Sequence, residues 1–168
     1  MNKKNNNDSL KIASNIEFLD GLRCAEADRR YEVFKRASIE EAKVLRSFNN
    51  DYIDCLEIAR TWRRMTYKDI QEATELSEKT ISRTFRRETV PSPENLALIC
   101  FALRLPYRLS SHIFNCSPCN LTTIHWDKKR SEYDYTLYIL DALLERLAGQ
   151  PMDVVASYFE AYGFKRAK

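Results

Sequence analysis

A chain of 168 residues can bury one sizeable core, or form a small domain with appended helices, and is too short for two large independent domains. Its 44% hydrophobic and 30% charged residues are those of a soluble globular protein, and a net charge of +3 excludes a polycation that coats nucleic acid unselectively. With three Gly and five Pro against abundant Ala, Leu, Glu, Arg and Lys, an all-α fold with almost no sheet is expected.

The chain opens on MNKKNNND, a polar stretch with no apolar run behind it. Residues 1–8 are therefore expected to be disordered, and no signal peptide is expected. Residues 9–50 read as an N-terminal helical extension. Ile12, Ile16 and Leu19 fit a short helix over Ser9–Leu22, while Asp20-Gly21 also fits the turn of a hairpin, and both stay open. Ser38 with Glu41 makes a capping box for a helix of about ten residues through Phe48. Asn49-Asn50 then breaks the chain.

Residues 51–115 carry the most organised pattern. Asp51 caps Tyr52–Arg64, which offers Ile53, Leu56, Ile58 and Trp62 to a core and ends in Arg60, Arg63 and Arg64. Thr66 with Asp69, then Ser77 with Thr80, start two short amphipathic helices separated by Thr74-Glu75-Leu76. Ile70 and Ala73 on the first, and Ile81 and Phe85 on the second, are spaced to pack on each other. That turns Glu78, Lys79, Ser82, Arg83, Arg86 and Arg87 outward. A short helix, a tight turn and a second helix with cationic and hydrogen-bonding side chains in its first turns suit a DNA major groove. Between Arg60 and Arg87 eight basic residues stand against four acidic ones, the local excess that a phosphate-facing patch requires. Val90-Pro91-Ser92-Pro93-Glu94 starts a further helix with Leu96, Ile99, Cys100 and Leu103 on one stripe. Pro106 opens a fifth, with Leu109, Ile113 and Phe114 inward. Five short helices in this order predict a compact orthogonal bundle.

Thr66-x3-Ile70, Leu76-Ser77-x2-Thr80-Ile81-Ser82-Arg83, Pro91-Ser92-x-Glu94-x-Leu96 and Leu103 resemble the pattern of the lambda-repressor/Cro-like helix-turn-helix family, often called XRE, over roughly residues 51–115. The stretch from LALICFALRLP onward also resembles the tail of a subgroup of such regulators in low-GC Gram-positive bacteria. The resemblance implies a lambda-repressor-like five-helix domain in a transcriptional regulator, a repressor, that binds double-stranded DNA sequence-specifically. It implies that Ser77, Glu78, Lys79, Thr80 and Arg83 read base edges, and that Thr66, Tyr67, Arg86 and Arg87 hold phosphates. Three positions depart from the family pattern: Gln71 replaces a small Ala, Glu75 replaces the Gly of the turn, and Arg87 replaces the Gly after the second helix of the motif. A non-glycine residue in a left-handed turn costs about 1–2 kcal/mol, so the turn is open to remodelling. These departures sustain an alternative function, a protein-interaction accessory factor of a mobile element that keeps the helix-turn-helix scaffold without reading DNA.

Residues 116–130 read as a linker loop and 131–168 as a C-terminal helical pair, Tyr133–Leu147 stopped by Gly149 and Met152–Tyr162 started after Gln150-Pro151. Tyr138, Leu140, Leu144 and Leu147 belong to a helix with more apolar surface than one packing face needs. It packs against the N-terminal region of the same chain or forms a dimer interface; a homodimer would set two recognition helices about 34–36 Å apart.

His112, Cys116, Cys119 and His125 have the donor types of a structural zinc site. Cys116 and Cys119 merely bracket Ser117-Pro118, however, and no metal or cofactor is expected. No Gly-rich phosphate loop, His-Glu-x-x-His or Gly-x-Ser-x-Gly is present, which argues against an enzyme. Five scattered cysteines, with Cys24, Cys55 and Cys100 as the others, point to thiols in a reducing cytoplasm. No window approaches the roughly 18–20 apolar residues that span a bilayer, so no membrane partner is expected.

Overall fold

The chain from Lys4 to Ser47 contains one Gly and no Pro, so nothing in it interrupts a helix once begun. The structure, a computed structural model, describes residues 4–121 and 132–164, with side chains over 25–121 and 135–164. Every regular element among these residues is helical, and the fold is all-α. The chain divides into two compact units, Met1–Ala42 and Lys43–Lys168.

The first unit is the body of α1 (Lys4–Ser47), a single helix of 44 residues. Residues 4–8, expected to be disordered, belong to it, and the choice between helix and hairpin at Ser9–Leu22 falls to helix. Ser38 and Glu41 start nothing, because a capping signal acts only where the preceding residues leave the helix. From Ala25 to Glu40 every side chain is exposed.

The second unit holds α2 (Tyr52–Arg63), α3 (Tyr67–Thr74), α4 (Glu78–Phe85), α5 (Pro93–Ala102), α6 (Tyr107–Cys116), α7 (Glu132–Arg146) and α8 (Met152–Ala161). The starts of α2 to α5 are set locally. Asp51 accepts from the Ile53 and Asp54 N–H groups at 2.9 and 3.1 Å, Ser77 from Thr80 at 3.1 Å and Ser92 from Asn95 at 3.3 Å, and Thr66 forms a full capping box with Asp69. Their ends share a second feature: Arg64, Glu75, Arg87 and Arg104 all take positive φ, from 48° to 63°, without being glycine.

At the centre lies α5, whose residues Leu96 to Ala102 are all buried. The sequence LALICFA is apolar all round rather than striped, and a helix apolar on all sides needs neighbours on all sides. Helices α3, α6, α7 and α8 all pack on it. This decides the place of the C-terminal pair. Leu140, Leu144 and Leu147, candidates for a dimer interface or for packing on the N-terminal region, are instead buried in the second unit, where α7 packs on α5 and α6, with Leu137, Leu143, Val155 and Phe159 buried as well. Of the four proposed interface residues only Tyr138 is exposed. Phe101 meets Phe159 edge-on at 6.0 Å, and the Tyr107 hydroxyl donates to Asp141 at 2.9 Å, tying α6 to α7. The expected linker starts inside the core: Ser117, Cys119 and Leu121 are buried, and residues 122–130 lie outside the described residues. No helix among the described residues is long and apolar enough to cross a membrane.

Candidate nucleic-acid interface

The two helices of the motif are held by one buried seam. Ile70, Thr74, Leu76, Ile81, Thr84 and Phe85 are all buried, and the Tyr67 and Phe85 rings meet at 4.9 Å. Leu76, the last residue of the turn, is its anchor. The Thr74 hydroxyl donates to the Ile70 carbonyl at 2.7 Å and accepts from the Leu76 N–H at 3.3 Å, so the turn's polar groups are satisfied where it enters the core. Glu75 keeps the left-handed conformation at φ 58°, ψ 12°, its N–H donating to the Gln71 carbonyl at 2.8 Å. The turn is not remodelled; it holds without glycine. Gln71 is half-buried and lines the cleft between α3 and α4.

Helix α4 stands as a ridge between two clefts. One, of about 390 Å³, is lined by Tyr67, Lys68, Gln71, Glu78, Ser82 and Arg86 among others. The other, of about 300 Å³, is lined by Lys79, Thr80, Arg83, Thr89, Ser92 and Asn95 among others. Glu78, Lys79 and Arg83 are exposed on this ridge, as their spacing predicts. Ser77 and Thr80 are committed to the start of the helix, with their hydroxyl oxygens 2.8 Å apart, so their outward hydrogen-bonding capacity is reduced.

The residues expected to hold phosphates are divided. Arg86 is exposed at the C-terminal end of α4. Arg87 is bound elsewhere: its guanidinium bridges the carboxylates of Asp51 and Asp54 at the start of α2. The hydrogen bonds from Arg87 hold the Asp51 carboxyl below its usual pKa, and the same contact raises that of Arg87. The Tyr67 hydroxyl donates to Glu57, which pushes its pKa up, and Arg60 stacks on its ring at 4.7 Å. The Thr66 side chain is occupied by the capping box, which holds the Asp69 carboxyl below its usual range.

These contacts change the electrostatic reading. Arg60 pairs with Glu57, Lys68 with Glu72, Arg83 loosely with Glu88 at 3.9 Å, and Arg87 with Asp51 and Asp54. Asp51, Asp54, Glu57 and Glu88 lie just outside the stretch in which basic residues predominate. Counted from 51 to 88 the chain holds eight acidic and eight basic residues, so the motif and its support are electrically balanced. These four carboxylates are what sequence reasoning missed. Asp51 was legible as a helix cap, but nothing in the pattern joins it to a residue 36 positions on.

Of the candidate metal motif, the three described residues do not share one site. His112 donates from Nε2 to the Asn49 carbonyl at 3.0 Å with the Cys116 thiol 3.5 Å from the ring, while Cys119 turns its thiol to the Pro91 carbonyl; His125 lies outside the described residues. No group of three metal-ligating side chains is present among the described residues. In comparison with known proteins, no family model, no curated protein and no solved structure matches this chain.

Proposed function

We propose that the chain is a sequence-specific DNA-binding regulator of transcription, of the type its motif resembles, and that α4 is the helix that enters the major groove. The observation that carries this reading is the ridge: a short helix fixed from behind by a buried seam, with clefts on both flanks and Glu78, Lys79 and Arg83 exposed along it. Lys79 or Arg83 donates to guanine O6 and N7, and Glu78 accepts from a cytosine amino group. Among the expected phosphate contacts, Arg86 takes the main role on this reading.

Selection of bound duplex from a random library, followed by Lys79→Ala and Arg83→Ala, tests it. Each substitution is expected to weaken the preferred site by about 1–3 kcal/mol and to flatten preference at one or two base pairs. Absence of salt-sensitive duplex binding by the parent at low ionic strength sinks the reading. The charge balance over residues 51–88 favours a second one in that event, in which the same scaffold docks a protein through the ridge and its clefts.

A further inference from the structure

Helix α1 carries large apolar side chains that nothing among the described residues of its unit covers. Tyr31, Val33, Phe34 and Ile39 are 62%, 63%, 69% and 47% exposed. Helices in proteins draw most of their stability from packing an apolar face, and this stretch has no such packing. The spacing says what kind of surface it is. Tyr31 and Phe34 follow Cys24 and Ala27 and precede Ser38 at alternating steps of three and four, a two-heptad seam of the kind that joins two helices, bounded by Asp20 and Glu41, with Val33 and Ile39 off it.

The charge says what covers it. Between Ala25 and Glu40 the helix has four acidic residues, Glu26, Asp28, Glu32 and Glu40, and four basic ones, Arg29, Arg30, Lys35 and Arg36. A stretch without net charge is poorly suited to a phosphate backbone or an acidic membrane and well suited to a helix of its own composition. We propose that α1 pairs with α1 of a second copy of this chain, antiparallel, with Tyr31 of each copy packed against Phe34 of the other.

The direction follows from the residues flanking the seam. A parallel, in-register pair sets Arg30 of one copy beside Lys35 of the other, which repels. The antiparallel pair centred between Tyr31 and Phe34 sets Asp28 against Lys35 twice and Arg30 against the neutral Ala37, and it gives two aromatic layers. Lys35 already lies at the edge of the seam, its ammonium 6.0 Å from the Tyr31 ring centre, and its intrahelical pair with Glu32 at 3.5 Å is exposed and weak. Arg30 is turned back toward Glu26, away from any partner it would repel.

Sedimentation velocity on the full chain without DNA, at roughly 50 µM, tests this. The parent is expected to be a dimer and Phe34→Glu a monomer with an unchanged melting temperature for the second unit. Lys35→Asp is expected to weaken association about tenfold, because both flanking pairs become repulsive, and Asp28→Lys with Lys35→Asp is expected to restore it. A monomeric parent, a dimer that survives Phe34→Glu, or a Lys35→Asp variant that associates as well as or better than the parent overturns the proposal. The measurement uses no DNA, so its outcome and that of the groove-reading hypothesis are independent.

Discussion

Replacing Glu75 by Gly is expected to stabilise the protein, although it removes a side chain and adds freedom to the unfolded chain. Glu75 sits at φ 58°, where a Cβ crowds the following carbonyl. Releasing that crowding gains about 1–2 kcal/mol, and the extra backbone freedom of glycine when unfolded takes back roughly 0.5–1 kcal/mol. The net gain is about 0.5–1 kcal/mol. For the cooperative unit Lys43–Lys168, that corresponds to a rise in Tm of about 2–5 °C. The hydrogen bond from the Glu75 N–H to the Gln71 carbonyl is made by backbone and survives every substitution except proline. Glu75→Ala is the control, since alanine keeps the Cβ and the crowding but loses the carboxylate. Thermal melts followed by circular dichroism compare the three proteins. If Glu75→Gly melts at or below Glu75→Ala, the left-handed turn is not strained and the reasoning fails.

Leu144→Ala is expected to destabilise by about 2–5 kcal/mol at every protein concentration, and Tyr138→Ala by under about 0.5 kcal/mol, because the first empties a core position and the second trims an exposed one; equal effects, or a Leu144→Ala effect that fades on dilution, would return α7 to an interface. Arg86→Ala is expected to reduce the slope of log affinity against log salt by about one on duplex DNA, and Arg87→Ala to leave that slope nearly unchanged while lowering Tm. Asp51's pKa is depressed in the folded protein, so its contribution is fully present above the unfolded carboxylate value of about 3.9 and is lost as pH falls through the folded one. The Tm difference between parent and Arg87→Ala should therefore vanish in acid; a difference that persists there assigns Arg87 a role other than this ion pair.

The parts of the structure that were legible in the sequence are those decided within a few residues. Asp51, Thr66, Ser77 and Ser92 each bond to an N–H two or three positions on, and so each helix start could be read from its own neighbourhood. The ridge followed for the same reason, because Ile81 and Phe85 fix which side of α4 is buried. What escaped depends on distance or on the absence of a signal. Arg87 meets Asp51 only once α2 and α4 are packed, and a charge count stopped at Arg60 leaves out its partners. The packing of Leu140 and Leu144 on α5 does not follow from spacing, because the stripe Leu96, Ile99, Cys100 and Leu103 calls for one neighbour, whereas Leu96 to Ala102 are buried all round. The unbroken length of α1 was hidden by a good capping signal at Ser38 that an already running helix ignores.

The charge balance of the motif and the exposed seam of α1 bear on the same question. Non-specific affinity for duplex DNA rises with the number of phosphates neutralised, and within residues 51–88 four of the eight cations, Arg60, Lys68, Arg83 and Arg87, are already matched by a carboxylate. On the DNA-binding reading, the exposed cations of the stretch that have no carboxylate partner among the described residues are Arg63, turned to the Arg104 carbonyl, with Arg64, Lys79 and Arg86, a modest electrostatic hold that leaves much of the affinity to base contacts at α4. If two copies pair through α1 as proposed, this changes without any new contact to DNA. Once the first motif is seated, the second meets its half-site at an effective concentration set by the link between them, which multiplies weak affinities. A neutral reading head is then an advantage, because it discriminates by base contacts while releasing wrong sequences that a more basic surface would retain. On the proposed reading the carboxylates around Arg60 and Arg87 would reduce retention on wrong sequences, and pairing at Tyr31 and Phe34 would supply the hold that the motif lacks.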